Sequence, residues 1–256
     1  MTATPQRDVL HKSVALIDAL SRAKGAMRFV DLVKSAGLPK STSHRLLASL
    51  VREGLVSFDE QTQKYSLGLK VMTWASKTWN NIEVANVAVD EMERLHAQVA
   101  EQVSLAVRDG MDVVYVRATD SNQQLNISAS QIGDREAAHC TAVGKVMLAF
   151  LPEATLQEIL NDIDLKRFTD FTITDPAEFA EELTRIKQSG FSYSDREQHE
   201  LVRGIAAPIF DFEGRVIAAL NIWAPVFRTD AETLLGWKDS LNTSATQISQ
   251  KMGYTA

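Results

Sequence analysis

The stretch LPKSTSHRLLASL, residues 38–50, places hydroxyl and basic side chains at the start of an amphipathic helical pattern. On a helical wheel its apolar side consists of three leucines, Leu46, Leu47 and Leu50. The opposite side carries small hydroxyls and guanidinium groups: Ser41, Thr42, Arg45, Ser49 and Arg52. Arginine can bind a guanine edge or a phosphate through two hydrogen bonds, and Ser or Thr at a helix start suits phosphate oxygens. The pattern predicts a helix that reads DNA; a solvated surface helix is the alternative.

The segment before this helix predicts a second helix joined to it by a short turn. Apolar residues recur at helical spacing between 29 and 36, after an earlier apolar-periodic stretch that stops at Gly25. Gly37 stands where a left-handed helix cap is preferred, and Pro39 suits the first turn of the next helix. The connection is about as short as a helix-turn-helix requires.

A hairpin is predicted directly after Gly54. Residues 55–58 read as a strand, 59–63 as a polar turn and 64–67 as a return strand. A hairpin after a recognition helix is typical of the winged helix-turn-helix, and its return strand could touch the DNA backbone. The expected DNA contacts are polar residues of the helix and the return strand: Lys40, Ser41, Thr42, His44, Arg45, Ser49, Arg52, Lys64 and Tyr65.

The distribution of charge agrees with a DNA-binding amino end. The net charge of the 256 residues is −6. Residues 1–70 hold 11 Lys/Arg against 6 Asp/Glu, and residues 71–256 hold 16 against 27, so a basic module precedes an acidic one. The hydrophobic fraction of 45% and the single Cys140 are typical of a globular protein of a reducing cytoplasm. No membrane span or export signal is expected.

The remainder of the chain predicts a mixed α+β domain. Residues 69–79 form an apolar-periodic helix with Trp74 and Trp79, either a contact surface between subunits or a helix packed on the neighbouring domain. The elements that follow are helix 82–101, strands 103–107 and 113–116, helices 144–151, 153–161 and 175–189, strands 205–211 and 216–223, and helix 230–252. Hairpins interleaved with helices predict an antiparallel sheet.

A second candidate site lies at the helix start Thr141–Lys145. Thr141 can cap the helix, Ala142 and Gly144 leave backbone N–H groups uncovered, and Lys145 adds a positive charge. A helix N-terminus can bind a carboxylate. A plain capped helix is the other interpretation.

Enzyme chemistry is the rival class of function. Cys140 beside a helix start could be a thiolate nucleophile, yet a buried structural cysteine is the expected role. The spacing of His139, Cys140 and His199 matches no zinc motif, so neither a metal nor a cofactor is predicted. One segment carries three carboxylates that could be acid/base groups, but a solvated loop is the expected interpretation: Asp195, Glu197 and Glu200.

Three motifs in order resemble the IclR family of bacterial transcription regulators over essentially the whole chain. They are GLPKSTSHRLL (37–47), HCTAVGK (139–145) and GFSYSDREQHELVRGIAAPIFDFEGRVIAAL (190–220). The resemblance implies a winged helix-turn-helix over 1–70, a linker helix over 71–82 and a GAF-like antiparallel-sheet effector domain over 83–256. It also implies a homodimer or homotetramer.

The resemblance further implies an effector pocket between the start of the 141–145 helix, the segment 194–204 and the final strand. Its residues would be Ala142, Val143, Gly144, Ser194, Gly204, Asn221 and Trp223. Gly204 departs from the family, which usually has Cys, Ser or Ala there. Relatives that bind small oxoacids carry small hydroxyl residues where this chain has Asn221 and Trp223.

The sequence therefore predicts a ligand-responsive transcription regulator without enzyme activity. Its partners would be a palindromic double-stranded DNA operator and a small organic acid or sugar acid of catabolism. Most relatives are repressors, so a repressor is expected. An activator of the same family, or an enzyme that uses the Cys140 region, is the alternative.

Overall fold

The computed structural model describes residues 9–80, 83–119 and 131–255, and of residues 75–80 the backbone alone. The chain divides into two compact units, with the boundary between residues 82 and 83. Each unit has its own hydrophobic core and is described by itself.

The amino-terminal unit is a helix-turn-helix with a short antiparallel sheet. Its helices are α1 (Val9–Ser21), α2 (Phe29–Ala36), α3 (Lys40–Arg52) and α4 (Leu69–Asn80). The strands are β1 (Met27–Arg28), β2 (Val56–Asp59) and β3 (Lys64–Leu67), in the order β1-β3-β2. The predicted helices and hairpin are confirmed. Strand β1 was not predicted, because two residues carry no detectable periodicity.

The turn between α2 and α3 depends on Gly37. Its φ of 63° is left-handed, and its N–H reaches back to the carbonyls of Lys34 and Val33. Such a cap closes α2 and releases the chain into α3 after one further loop residue, Leu38, and Pro39. The short turn presses both helices against α1, where Leu16, Leu32 and Leu47 are almost fully buried.

The carboxy-terminal unit is built on a six-stranded antiparallel sheet in the order β6-β5-β4-β9-β8-β7. The strands are β4 (Gln102–Asp109), β5 (Asp112–Ala118), β6 (Arg135–Ala137), β7 (Ser192–Asp195), β8 (Val202–Phe210) and β9 (Val216–Pro225). The helices are α5 (Glu83–Val87), α6 (Val89–Val99), α7 (Ala142–Ala149), α8 (Glu153–Asn161), α9 (Pro176–Ser189), α10 (Ala231–Gly236) and α11 (Lys238–Lys251). A 3-10 turn, Ala138–Cys140, precedes α7.

The sheet separates two layers of helices, which places the functional residues on one face. Alternate side chains of β9 point to opposite faces. Ala219 shares a core with Val143 of α7 and Phe179 of α9. Helices α6 and α11 pack against the sheet at β4, β8 and β9. Asn221 and Trp223 have the same parity as Ala219 and therefore face α7.

Two predicted helices are each divided in the structure. The helix predicted over 82–101 is α5 and α6, with residue 82 outside the described ranges, and the last helix is α10 and α11. The junction residues Ala88 and Trp237 stay right-handed with ψ of −15° and 0°, so the helical turn loosens without reversing. Gly236, a poor helix former, precedes the second junction.

None of the helices in the described ranges combines the length and apolar character needed to cross a membrane. Strands β6 and β7 were also not predicted, again because they are short.

Candidate DNA-binding helix and effector cavity

Helix α3 buries its leucine side and exposes the side predicted to read DNA. Leu46, Leu47 and Leu50 are at most 6% exposed. The predicted contact residues lie at the surface: Lys40, Ser41, His44, Arg45 and Arg52 exposed, Thr42 and Ser49 partly so. Ser43 is the exception in the motif, because its hydroxyl turns inward and donates to the carbonyl of Pro39.

The exposed side of α3 is electropositive. Arg45 and Arg52 pair with no acid among the described residues, and the first turn of the helix holds none. The first N–H that bonds within the helix is that of Ser43, to Pro39. The three preceding N–H groups, of Lys40, Ser41 and Thr42, therefore point out of the positive end of the helix dipole, which suits a phosphate.

The two contact residues predicted in the hairpin, Lys64 and Tyr65, are less exposed than most of those on α3. Lys64 is half-buried and opposes Asp59 across the ladder. The ring of Tyr65 packs 4.7 Å from that of Phe58 and 6.5 Å from that of Phe29. Tyr65 is half-buried and thus helps to hold β3 in place.

A small cavity in the carboxy-terminal unit collects most of the predicted effector residues. Ala142, Ser194, Gly204, Asn221 and Trp223 all line it. Its volume of about 40 Å³ holds roughly three water molecules. A larger ligand would need the surrounding side chains to move apart.

Two of the predicted residues, Val143 and Gly144, do not line this cavity. Val143 is part of the hydrophobic core. The N–H of Gly144 donates to the capping hydroxyl of Thr141, at 3.2 Å, so it is not uncovered. A Cβ on Gly144 would lie 2.1 Å from the carbonyl oxygen of Ala138, which explains the glycine as a close-packing residue.

The start of α7, where Ala142 lines the cavity, still has backbone donors that the helix does not use. Thr141 satisfies only the N–H of Gly144, so the N–H groups of Ala142 and Val143 have no acceptor within the helix. Ser194 donates to the carbonyl of Cys140 at 3.1 Å, and Ser192 donates to that of Ala142. These two bonds fix the helix start against β7.

The cavity has further polar lining that sequence reasoning missed. Glu136 accepts a hydrogen bond from the hydroxyl of Tyr115 at 3.0 Å and lies 3.6 Å from Nε2 of His199. Hydrogen bonding to Glu136 raises the pKa of His199. Arg203, which also lines the cavity, lies 3.3 Å from Asp195. The remaining unpredicted lining residues are Cys140, Thr141, Gln198 and Val202.

Cys140 has the environment of a structural thiol. It is fully buried, and its sulfur donates to the side-chain oxygen of Gln198. Burial, reinforced by the charges of Glu136 and Glu197, raises the pKa of Cys140 far above its usual value. A neutral thiol is a poor nucleophile, so the geometry argues against the enzyme alternative built on Cys140.

The predicted cation Lys145 does not face a ligand. It is 1% exposed, and its ammonium group binds Glu197 at 2.7 Å, the carbonyl of Tyr193 at 2.7 Å and Glu182 at 3.1 Å. Burial raises the pKa of Glu197 even though Lys145 opposes the shift. Burial also acts to raise the pKa of Glu182, but Lys145 and Arg185 together hold it below its usual value.

The other residues considered for chemistry have structural contacts. The ring of His139 is buried, with Nε2 2.9 Å from the carbonyl of Lys166. Within the described ranges, no group of three or more His, Cys, Asp or Glu side chains is placed to hold a metal ion. Asp195 pairs with Arg196 and Arg203, while Glu200 is exposed.

Both units match family models. Residues 9–60 match the IclR helix-turn-helix domain, and residues 76–250 match the bacterial transcriptional regulator IclR C-terminal domain. The HTH-type transcriptional regulator KdgR of Dickeya chrysanthemi is 34% identical over 245 residues, which cover 94% of this chain and 80% of that protein.

Solved structures agree with this assignment. The IclR protein of Thermotoga maritima superposes with a TM-score of 0.80 at 26% identity, over 96% of this chain and 98% of that one. An IclR homologue from Microbacterium hydrocarbonoxydans, complexed with 4-hydroxybenzoate, gives a TM-score of 0.79 at 25% identity, over 96% and 99% of the two chains. The chain belongs to the IclR family of bacterial transcriptional regulators.

Proposed function

We propose that this protein is a ligand-responsive repressor that acts in the cytoplasm and binds a pseudo-palindromic operator. The observation that carries the proposal is the exposed side of α3. It combines small hydroxyls, a free helix N-terminus and two guanidinium groups that pair with no acid in the described ranges. Such a surface can insert into a major groove, where arginine reads guanine and the helix start binds phosphate.

The effector in this proposal is a small organic acid or sugar acid of catabolism. Its carboxylate would meet the N–H of Ala142, a cavity-lining residue at the positive end of α7. The rest of the molecule would extend toward Asn221 and Trp223 on β9. This differs from the sequence-based expectation in one respect, because the N–H of Gly144 is already bonded to Thr141.

Assembly as a homodimer, or as a homotetramer of two dimers, completes the proposal. Helix α4 exposes large apolar side chains: Leu69 is 81% exposed, Met72 70% and Trp74 54%. The side chain of Trp79, also expected in this surface, lies outside the described residues. A second copy of α4 would remove such side chains from water.

Half-site spacing tests the dimer. A two-fold symmetric protein reads half-sites about one helical turn apart, or a multiple of it, on one side of the duplex. Inserting about five base pairs at the centre of a selected operator turns one half-site to the opposite side, so affinity should fall at least tenfold, whereas an insertion of about ten should cost less. Fluorescence anisotropy measures both. Equal affinity for all three spacings and for a single half-site would refute dimeric recognition.

A further inference from the structure

Two buried side chains that line the effector cavity each have one polar atom that forms no hydrogen bond with the described part of the chain. They are Oδ1 of Asn221 and Nε1 of Trp223, in residues that are 4% and 7% exposed. Buried polar groups in proteins are nearly always paired, because an unpaired one has lost its water without compensation. Two such atoms beside one cavity have no partner among the described residues, and a bound ligand would supply one.

The surroundings of Asn221 fix which of its atoms needs that partner. Its amide nitrogen donates to the hydroxyl of Ser104 at 3.1 Å, so the carbonyl oxygen is the unpaired acceptor. This oxygen lies over Gly204: a Cβ there would come within 3.2 Å of it. The glycine therefore leaves Asn221 Oδ1 open to approach from the strand beside it.

A second acceptor lines the same cavity. Glu136 carries a carboxylate that accepts from Tyr115 and contacts His199. A carboxylate has about four lone-pair sites, so these contacts leave capacity for another donor. A carboxylate is also an unfavourable neighbour for a purely anionic or apolar ligand. The Glu136 carboxylate suits a ligand hydroxyl group, which can donate a hydrogen bond to it.

The lining of the cavity thus combines the N–H of Ala142, which suits a carboxylate, with polar groups of Asn221, Glu136 and Trp223, which suit hydroxyls. We propose, on the basis of the proposed function, that the effector is an aliphatic acid with several hydroxyl groups, of the aldonic or uronic acid class. One hydroxyl donates to Asn221 Oδ1, another donates to Glu136, and a ligand oxygen accepts from Trp223 Nε1. An alkyl or aromatic acid without these hydroxyls leaves Asn221 Oδ1 and Trp223 Nε1 without a partner, and sites built to hydrogen-bond a ligand discriminate strongly against such analogues.

Calorimetry on the full chain tests this class. The probes are D-gluconate, D-galactonate, D-glucuronate and D-galacturonate, with hexanoate and benzoate as acids of similar size that lack hydroxyls. At least one hydroxylated acid should bind about a hundredfold or more tighter than hexanoate and benzoate. Equal or tighter binding of hexanoate or benzoate, or binding of none of the four hydroxylated acids, would overturn the proposal.

Matched variants test whether Asn221 and Trp223 contact the ligand. Asn221→Leu removes the acceptor, and Trp223→Phe removes the donor while keeping a ring. Each variant should bind the hydroxy acid with about tenfold lower affinity. Asn242→Leu is the control, because Asn242 has the same unpaired oxygen but lies on α11, away from the cavity. Unchanged affinity in both cavity variants would also overturn the proposal. Unaltered thermal unfolding shows that a variant is folded.

The ligand class and the regulator can fail separately. If hexanoate or benzoate binds and changes operator affinity, the regulator stands and the hydroxy acid is wrong. If a hydroxy acid binds with the expected dependence on Asn221 but no operator can be selected, the ligand class stands and the DNA-binding function is wrong.

Discussion

Replacement of Lys145 by Met should lower the free energy of unfolding of the carboxy-terminal unit by about 3–5 kcal/mol. Lys145 is 1% exposed and holds Glu197, 8% exposed, at 2.7 Å. Without the ammonium group the carboxylate of Glu197 stays buried and uncompensated, and the carbonyl of Tyr193 loses its donor. Both losses lower the free energy of unfolding. Urea unfolding followed by circular dichroism measures the difference.

Two controls separate the buried pair from the general effect of losing a lysine. Lys187→Met, at an exposed position of α9, should change stability little. Adding Glu197→Gln to Lys145→Met should recover much of the loss, because it removes the unpaired charge. Burial raises the pKa of Glu197, and loss of Lys145 would raise it further, so the deficit should shrink as pH falls and Glu197 takes up a proton. A deficit no larger than that of Lys187→Met would contradict the account.

Arg45→Ala should weaken binding to a selected operator by about 1–3 kcal/mol and relax base preference at one base pair of each half-site. Arg45 is exposed on the acid-free side of α3 and pairs with no acid in the described part of the chain, so its guanidinium is available to a guanine edge. Gel shifts on operators carrying each substitution measure affinity and preference together.

Other basic residues give the comparison. If Lys64 contacts a phosphate, Lys64→Ala should lower the affinity for all DNA sequences alike. It should also reduce the slope of log affinity against log salt concentration by about one unit. Arg22→Ala, at the exposed end of α1 where Arg22 lies near Asp18, should have a much smaller effect. Wild-type affinity with unchanged base preferences in Arg45→Ala would show that α3 is not the recognition helix.

The parts of the molecule that the sequence predicted well are those set by neighbouring residues. The leucine spacing of α3, the left-handed Gly37 and the polar turn between β2 and β3 are local signals, and the structure has each of them. The Thr141 cap is equally local. Periodicity and turn chemistry need no knowledge of the tertiary fold.

The prediction was less successful where distant segments decide a residue's environment. Lys145 was expected to face a ligand, but its partners Glu182 and Glu197 lie 37 and 52 residues further along the chain. The cavity residue Glu136 comes from a three-residue strand that leaves no pattern. Val143 and Ala142 are adjacent and both belong to the core, but only Ala142 also lines the cavity, a difference that the packing of α7 on the sheet decides.

The central claim is that binding of a small acid changes the affinity of this protein for a specific operator. The most direct test is fluorescence anisotropy of the full chain on an operator selected from random duplexes, titrated with small carboxylates and sugar acids at physiological salt. At least one acid should change operator affinity by about 5- to 150-fold, as a coupling of about 1–3 kcal/mol gives, and Cys140→Ser should respond as the wild type does. Equal affinity for selected and scrambled duplexes, whichever acid is present, would contradict the account.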